Sequence, residues 1–226
     1  MREAYQSDLR HIVDDLIDMA GLVDTAIQDA STALLEGDLA LAERVITADP
    51  HIDSRQVELD AKAVELLARQ SPVATDLRLL VATLRMSSSL ERMGDLAAHV
   101  ALTARRANPE LAVPERHREQ IVRMSELARA ALKDACEVIA ERDLALAAQV
   151  EKRDDEMDEL MLEISRQIAR GGQDEYTNAQ IIDMTLLIRF YERIGDHAVS
   201  LVRRVGFLVT GDAPDTLHPG VDVPEF

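Results

Sequence analysis

The strongest constraint on this chain is that it repeats itself once. DLALAERV at 38–45 returns as DLALAAQV at 143–150, an offset of 105. At the same offset Asp49 maps onto Asp154 and Asp53 onto Asp158. A second motif, ERMGD at 91–95, returns as ERIGD at 192–196, an offset of 101. One period spans about half of the 226 residues, so the pattern implies a duplicated domain and not a many-unit solenoid.

Both copies carry helical periodicity. Ile12, Leu16, Met19, Val23, Ala26, Ile27, Ala30 and Leu34 recur at the spacing of one face of a long amphipathic helix. Gly37 is placed to end it, and Asp38 to cap the next. That next helix reads as short. Asp49-Pro50 then looks like an N-cap with proline at the first helical position, restarting a longer helix to about Arg69. Ser71-Pro72 opens a third helix, about 73–107. The second copy repeats the plan over about 115–140, 144–170 and 178–210, with a turn across Gly171–Thr177. The predicted fold is therefore all-α, two tandem, pseudo-symmetric three-helix bundles of long antiparallel helices. The first covers 1–108, residues 109–114 form a proline-bearing linker, the second covers 115–210, and 211–226 form a mobile acidic tail.

A formal charge of −17 argues against binding to nucleic acid or to an anionic membrane. It suits cationic partners, whether metal ions or basic protein surfaces. Cys136 is the single cysteine, so no disulfide can form within the chain, and a reducing cytoplasm is the natural compartment. The first residues lack the apolar core of a secretion signal, and no apolar run approaches the roughly 18 residues of a membrane span. The expected protein is soluble and cytoplasmic, with no membrane insertion.

Acids four apart repel on a helix face, and glycine between them costs about 1 kcal/mol relative to alanine. Single pairs are common in a chain with 42 acids, but their level in the bundle is informative. The pairs Asp49/Asp53 and Glu91/Asp95 lie at equal distances from the Ser71-Pro72 turn, and Asp154/Asp158 and Glu192/Asp196 at equal distances from the second turn. Antiparallel helices would bring each set of four carboxylates together. All-oxygen ligation suits hard or borderline cations. Gly94 and Gly195 would permit close approach. The competing readings are solvated acidic faces with glycine at a helix crossing, and an Asp49 that merely caps. His99 and His197 have no counterparts in the other copy, which reads against ligation. Arg78, Arg85 and Arg92, seven apart, read as ion-pair partners of acids on neighbouring helices, or as a partner-facing or phosphate-binding strip.

EGDLALAERVI at 36–46, SPVATDLR at 71–78, LERMGD at 90–95 and YERIGD at 191–196 together resemble the PhoU family of phosphate-transport regulatory proteins, in order, spacing and duplication. The resemblance covers about residues 1–210. It implies tandem three-helix bundles whose E/D-x-x-x-D motifs can carry polynuclear metal clusters (iron, manganese, magnesium or zinc). Here these would use Asp49, Asp53, Glu91 and Asp95, then Asp154, Asp158, Glu192 and Asp196. It further implies a cytoplasmic, dimeric, non-enzymatic regulator, reaching the inner face of the membrane only through protein partners. Such a regulator restrains the phosphate transporter through its ATPase subunit, and quiets the phosphate-sensing histidine kinase when phosphate is plentiful. Two rivals stand beside it: a helical adaptor without metal sites, and a carboxylate-bridged di-metal enzyme. The enzyme reading lacks its usual ligands, because no histidine has glutamate three residues before it.

Overall fold

The structure, a computed structural model, describes residues 2–211. Every regular element among them is helical. α1 is Arg2–Glu36, α2 Leu39–Gln70 and α3 Ala74–Ala107; after a 3-10 turn at Glu115–His117 come α4 Arg118–Glu141, α5 Leu144–Glu175 and α6 Asn178–Thr210. The expected tail lies, from residue 212 on, outside the described residues.

Local chemistry starts these helices, with Asp38 capping as expected from the sequence. The Asp38 carboxylate accepts from the Leu41 N–H at 2.9 Å, and Asp143 accepts from Ala145 at 2.8 Å and Leu146 at 3.1 Å. Thr177 and Gln180 form a reciprocal capping box at the start of α6. α1 and α4 both end on a left-handed residue, Gly37 in the first copy and Arg142 at the matching position of the second.

Two expectations are corrected. The short helix and restart at Asp49-Pro50 do not occur: Leu39–Gln70 is one helix with Pro50 inside it, and Asp49 is mid-helix, not an N-cap. Pro50 cannot donate to the carbonyl four residues back, a cost of roughly 3 kcal/mol. Leu41, Ala42, Val45, Ile52, Leu59 and Ala63 nevertheless bury one continuous stripe that spans the proline. Burying six apolar side chains outweighs the local defect. The turn expected over Gly171–Thr177 is also shorter than its sequence suggests. Helical hydrogen bonding runs on to Glu175 and is interrupted only at Gly172, with φ +48° and ψ −144°.

α1, α2 and α3 pack on one another, as do α4, α5 and α6. The two bundles meet through α1 against α4 and α3 against α6, leaving α2 and α5 on the outside. Their buried side chains join in one continuous core. At its centre Tyr191 is fully buried, its hydroxyl 2.7 Å from Ser31 Oγ. Ser31 gives its own proton to the Ile27 carbonyl at 2.7 Å, so it accepts from Tyr191 and from Ser125, the latter at 2.8 Å. This hydroxyl chain ties α1, α4 and α6. Arg129 adds a bidentate bond from α4 to Asp24 of α1, at 2.7 and 2.9 Å.

The α3–α6 seam keeps a strict antiparallel register. Arg106 pairs with Asp183. Seven residues back on α3 and seven forward on α6, the His99 ring stacks on Phe190 with centroids 5.4 Å apart. A further seven brings Arg92 to His197, on which its charge acts. Two more such steps set Arg78 against Gly211, where a Cβ would lie 3.4 Å from Arg78 Nη1. The same register places Gly94 level with Gly195, so a pseudo-twofold axis passes between the two copies of the E-R-x-G-D motif.

Candidate metal centres

α2 carries Asp49 and Asp53 to the flank of α3, where Glu91 and Asp95 stand. Asp49, Asp53 and Asp95 each offer a carboxylate oxygen, and the three oxygens lie within 4.8 Å of one another. Glu91 is outside this closest group, though its charge is felt there. Glu91 titrates above its ordinary range, through burial first and then repulsion from Asp95, with Arg92 opposing. Burial likewise raises Asp49, followed by the charges of Asp53 and Asp95. A Cβ on Gly94 would sit 3.0 and 3.2 Å from two carbons of Ile52 and 3.6 Å from Asp49 Oδ1. The bare glycine is what lets α2 lie this close. Beside Asp49 a cavity of about 230 Å³ opens between α1 and α2, lined by Thr25, Arg44 and His51.

The second set comes from the matching positions of α5 and α6. Its oxygens do not form such a closest group among the described residues; Asp158 and Asp196 are exposed, and Glu192 is buried. Asp154 is pushed up to about 7, by burial first and then by the charges of Asp196, Asp158 and Glu192. Burial also raises Glu192 and Asp196, with Asp158 adding to both. A Cβ on Gly195 would lie 2.9 Å from Asp154 Oδ1. Glu192 is only 8% exposed, and its Oε2 is buried with no hydrogen-bond partner. An ionised carboxylate oxygen in that position lacks the solvation that burial removed. A proton or a cation would restore it.

The eight acids anticipated from the sequence therefore gather into two clusters flanking the α3–α6 seam. Three of the first set meet within ligating distance, and the second set is coupled through its charges. Their donors are hard oxygens, suited to the cations named above. His99 lies close enough to Asp49 for its charge to oppose the upward shift there. His99 stacks on Phe190, and His197 lies between Arg193 and Arg92, whose charges join burial in lowering its pKa. Sequence reasoning missed Arg189, which donates to Glu192 Oε1 at 2.8 Å. It also missed Arg203, which bonds Glu151 at 2.9 Å beside the second cluster. Only the arginine three residues before Glu192 was visible as a hint. Arg92 meets the acids of its own motif, bonding Asp95 at 2.9 Å.

Comparison with known proteins decides the family. The PhoU domain profile matches twice, over residues 16–104 and 121–205, one copy in each bundle. The chain belongs to the PhoU family. A phosphate-specific transport system accessory protein PhoU homolog 1 from Mycobacterium leprae is 41% identical over 221 residues, covering 97% of this chain and 99% of the relative. A PhoU homolog 2 from Mycobacterium tuberculosis is 40% identical over 214 residues, covering 95% of this chain and all of the relative. The crystal structure of PhoU from Pseudomonas aeruginosa superposes with a TM-score of 0.86 at 28% identity, covering 92% of this chain and all of that one. The tandem helical bundles are thus the PhoU fold. No helix among the described residues is long and apolar enough to cross a membrane.

Proposed function

We propose that this chain is a PhoU-type regulator of phosphate uptake. It restrains the phosphate-specific transporter and phosphate-starvation signalling when phosphate is plentiful, and its two carboxylate clusters hold metal ions. The observation that carries the regulatory part is end-to-end similarity to proteins named as phosphate-specific transport accessory proteins. The partners on this reading are the transporter's ATPase subunit, the phosphate-sensing histidine kinase and a second copy of the chain, all met in the cytoplasm.

The metal part rests on geometry. Asp49, Asp53, Glu91 and Asp95 would hold one group of cations, and Asp154, Asp158, Glu192 and Asp196 the other. Three carboxylate oxygens within 4.8 Å and a partnerless buried oxygen on Glu192 both call for positive charge. The cations would neutralise crowded carboxylates, and the role of the chain is to keep those carboxylates close. We read the protein as a regulator and not an enzyme because its relatives are named as transport accessory proteins along their whole length.

Deletion in phosphate-replete cells tests the regulatory role. Phosphate-uptake genes should stay on, and affinity capture of the intact protein should recover the ATPase subunit and the kinase. Unchanged expression together with capture of neither protein contradicts the proposal.

A further inference from the structure

Each cluster already holds a cation that belongs to the chain. In the first, Arg92 reaches Asp95 Oδ2 at 2.9 Å through Nη1, and Glu91 Oε2 at 3.5 Å through Nε. In the second, Arg189 Nη1 contacts Glu192 Oε1 at 2.8 Å. Duplication does not account for this pairing. Arg193 is the counterpart of Arg92 at the motif offset, yet its charge acts on Asp196 without an ion pair among the described residues, and the position matching Arg189 in the first copy is Ser88. The two copies place one guanidinium on the cluster glutamate from different positions of α3 and α6.

We propose that Arg92 and Arg189 are built-in counter-cations that an entering metal ion must displace, and that they thereby set how tightly each cluster binds and how strongly it prefers multivalent ions. The inference rests on the metal reading above. Both arms are more than half exposed, 59% for Arg92 and 51% for Arg189, so their attraction to the carboxylates is screened and the exchange is reversible. A monovalent ion gains little by replacing a charge equal to its own that also donates hydrogen bonds. A divalent ion brings twice the charge and can bind several carboxylates at once. Arg92 lies on the α3–α6 seam, near enough to His197 for its charge to act there. Metal loading would therefore free an arginine on the surface between the two clusters.

The opposite role is physically reasonable and has the opposite sign. An arginine that remains bonded to a ligating carboxylate orients it, and its removal weakens metal binding. Isothermal titration with Mn²⁺ at fixed pH and low salt distinguishes the two. The full chain is compared with Arg92→Ala, Arg189→Ala and a control, Arg69→Ala, which changes net charge equally but pairs with Glu65 far along α2. The proposal expects about threefold tighter Mn²⁺ binding in the first two variants, the size of one exposed ion pair, and no change in the control. Arg92→Lys, which keeps the charge, should fall between Arg92→Ala and the unmodified chain. Titrating the unmodified chain with diamagnetic Zn²⁺ should shift the Arg92 side-chain Nε–H resonance in step with ion uptake. Equal or weaker binding in both alanine variants, with a static Arg92 resonance, overturns the proposal while leaving the metal reading in place. No Mn²⁺ or Zn²⁺ uptake by the unmodified chain removes both.

Discussion

At the scale of the residue, the clusters hold carboxylates that folding has made harder to ionise. Asp154 is the clearest case, moved to about 7 by burial and then by three neighbouring acids. The folded state binds this proton more tightly than the unfolded chain, where aspartate titrates near 3.9. Stability from this group is therefore full below about pH 4 and is lost as pH rises toward 7. In metal-free protein kept in chelator, Asp154→Asn should flatten the fall in stability between pH 4 and 7. Above pH 7 it should leave the protein more resistant to urea than the parent chain. Identical pH profiles for the two would show that Asp154 is ionised throughout that range. The acids themselves were legible in the sequence because the repeat marks the same four positions twice. The burial of Glu192 was not, since it depends on where α6 lies against its neighbours, whereas the bond it receives from Arg189 is a local i,i+3 contact whose spacing the sequence does show.

At the scale of the element, the starts of helices were readable and one interruption was not. Asp38, Asp143 and Thr177 cap α2, α5 and α6 through short-range bonds that need no tertiary context. Pro50 carries the strongest local signal for a helix start, yet the buried stripe on both sides of it keeps α2 continuous. The comparison of α1 with α4 exposes a difference between the copies. Gly37 and Arg142 occupy matching positions at the helix ends, with φ of +67° and +58°. Glycine adopts that conformation freely, whereas arginine is strained by about 1 kcal/mol. Arg142→Gly should therefore stabilise the protein by about 1 kcal/mol in urea titrations, with an unchanged denaturant slope. A loss of stability would mean that the arginine side chain contributes more than its backbone conformation costs.

At the scale of the whole molecule, two bundles share one core. The repeat revealed that the copies are equivalent but not how they touch, because equivalence carries no information about contact. The α3–α6 register, the stacking of His99 on Phe190 and the Tyr191–Ser31–Ser125 hydroxyl chain appear only once the helices are assembled. A shared core also predicts how the protein comes apart. Urea should unfold both halves in a single transition seen alike by circular dichroism and by hydrogen exchange in α2 and α5. Two separated transitions would show that the seam is weaker than either bundle. That same assembly carries the two carboxylate clusters to one level, on either side of the pseudo-twofold axis. Metal occupancy of those clusters is the central claim, and elemental analysis of protein purified without chelator tests it most directly. The unmodified chain should retain stoichiometric metal; Asp53→Asn with Glu91→Gln should lose the first cluster's share, and Asp158→Asn with Glu192→Gln the second's. Metal content that is negligible in the unmodified chain, or unchanged in both double variants, would contradict it.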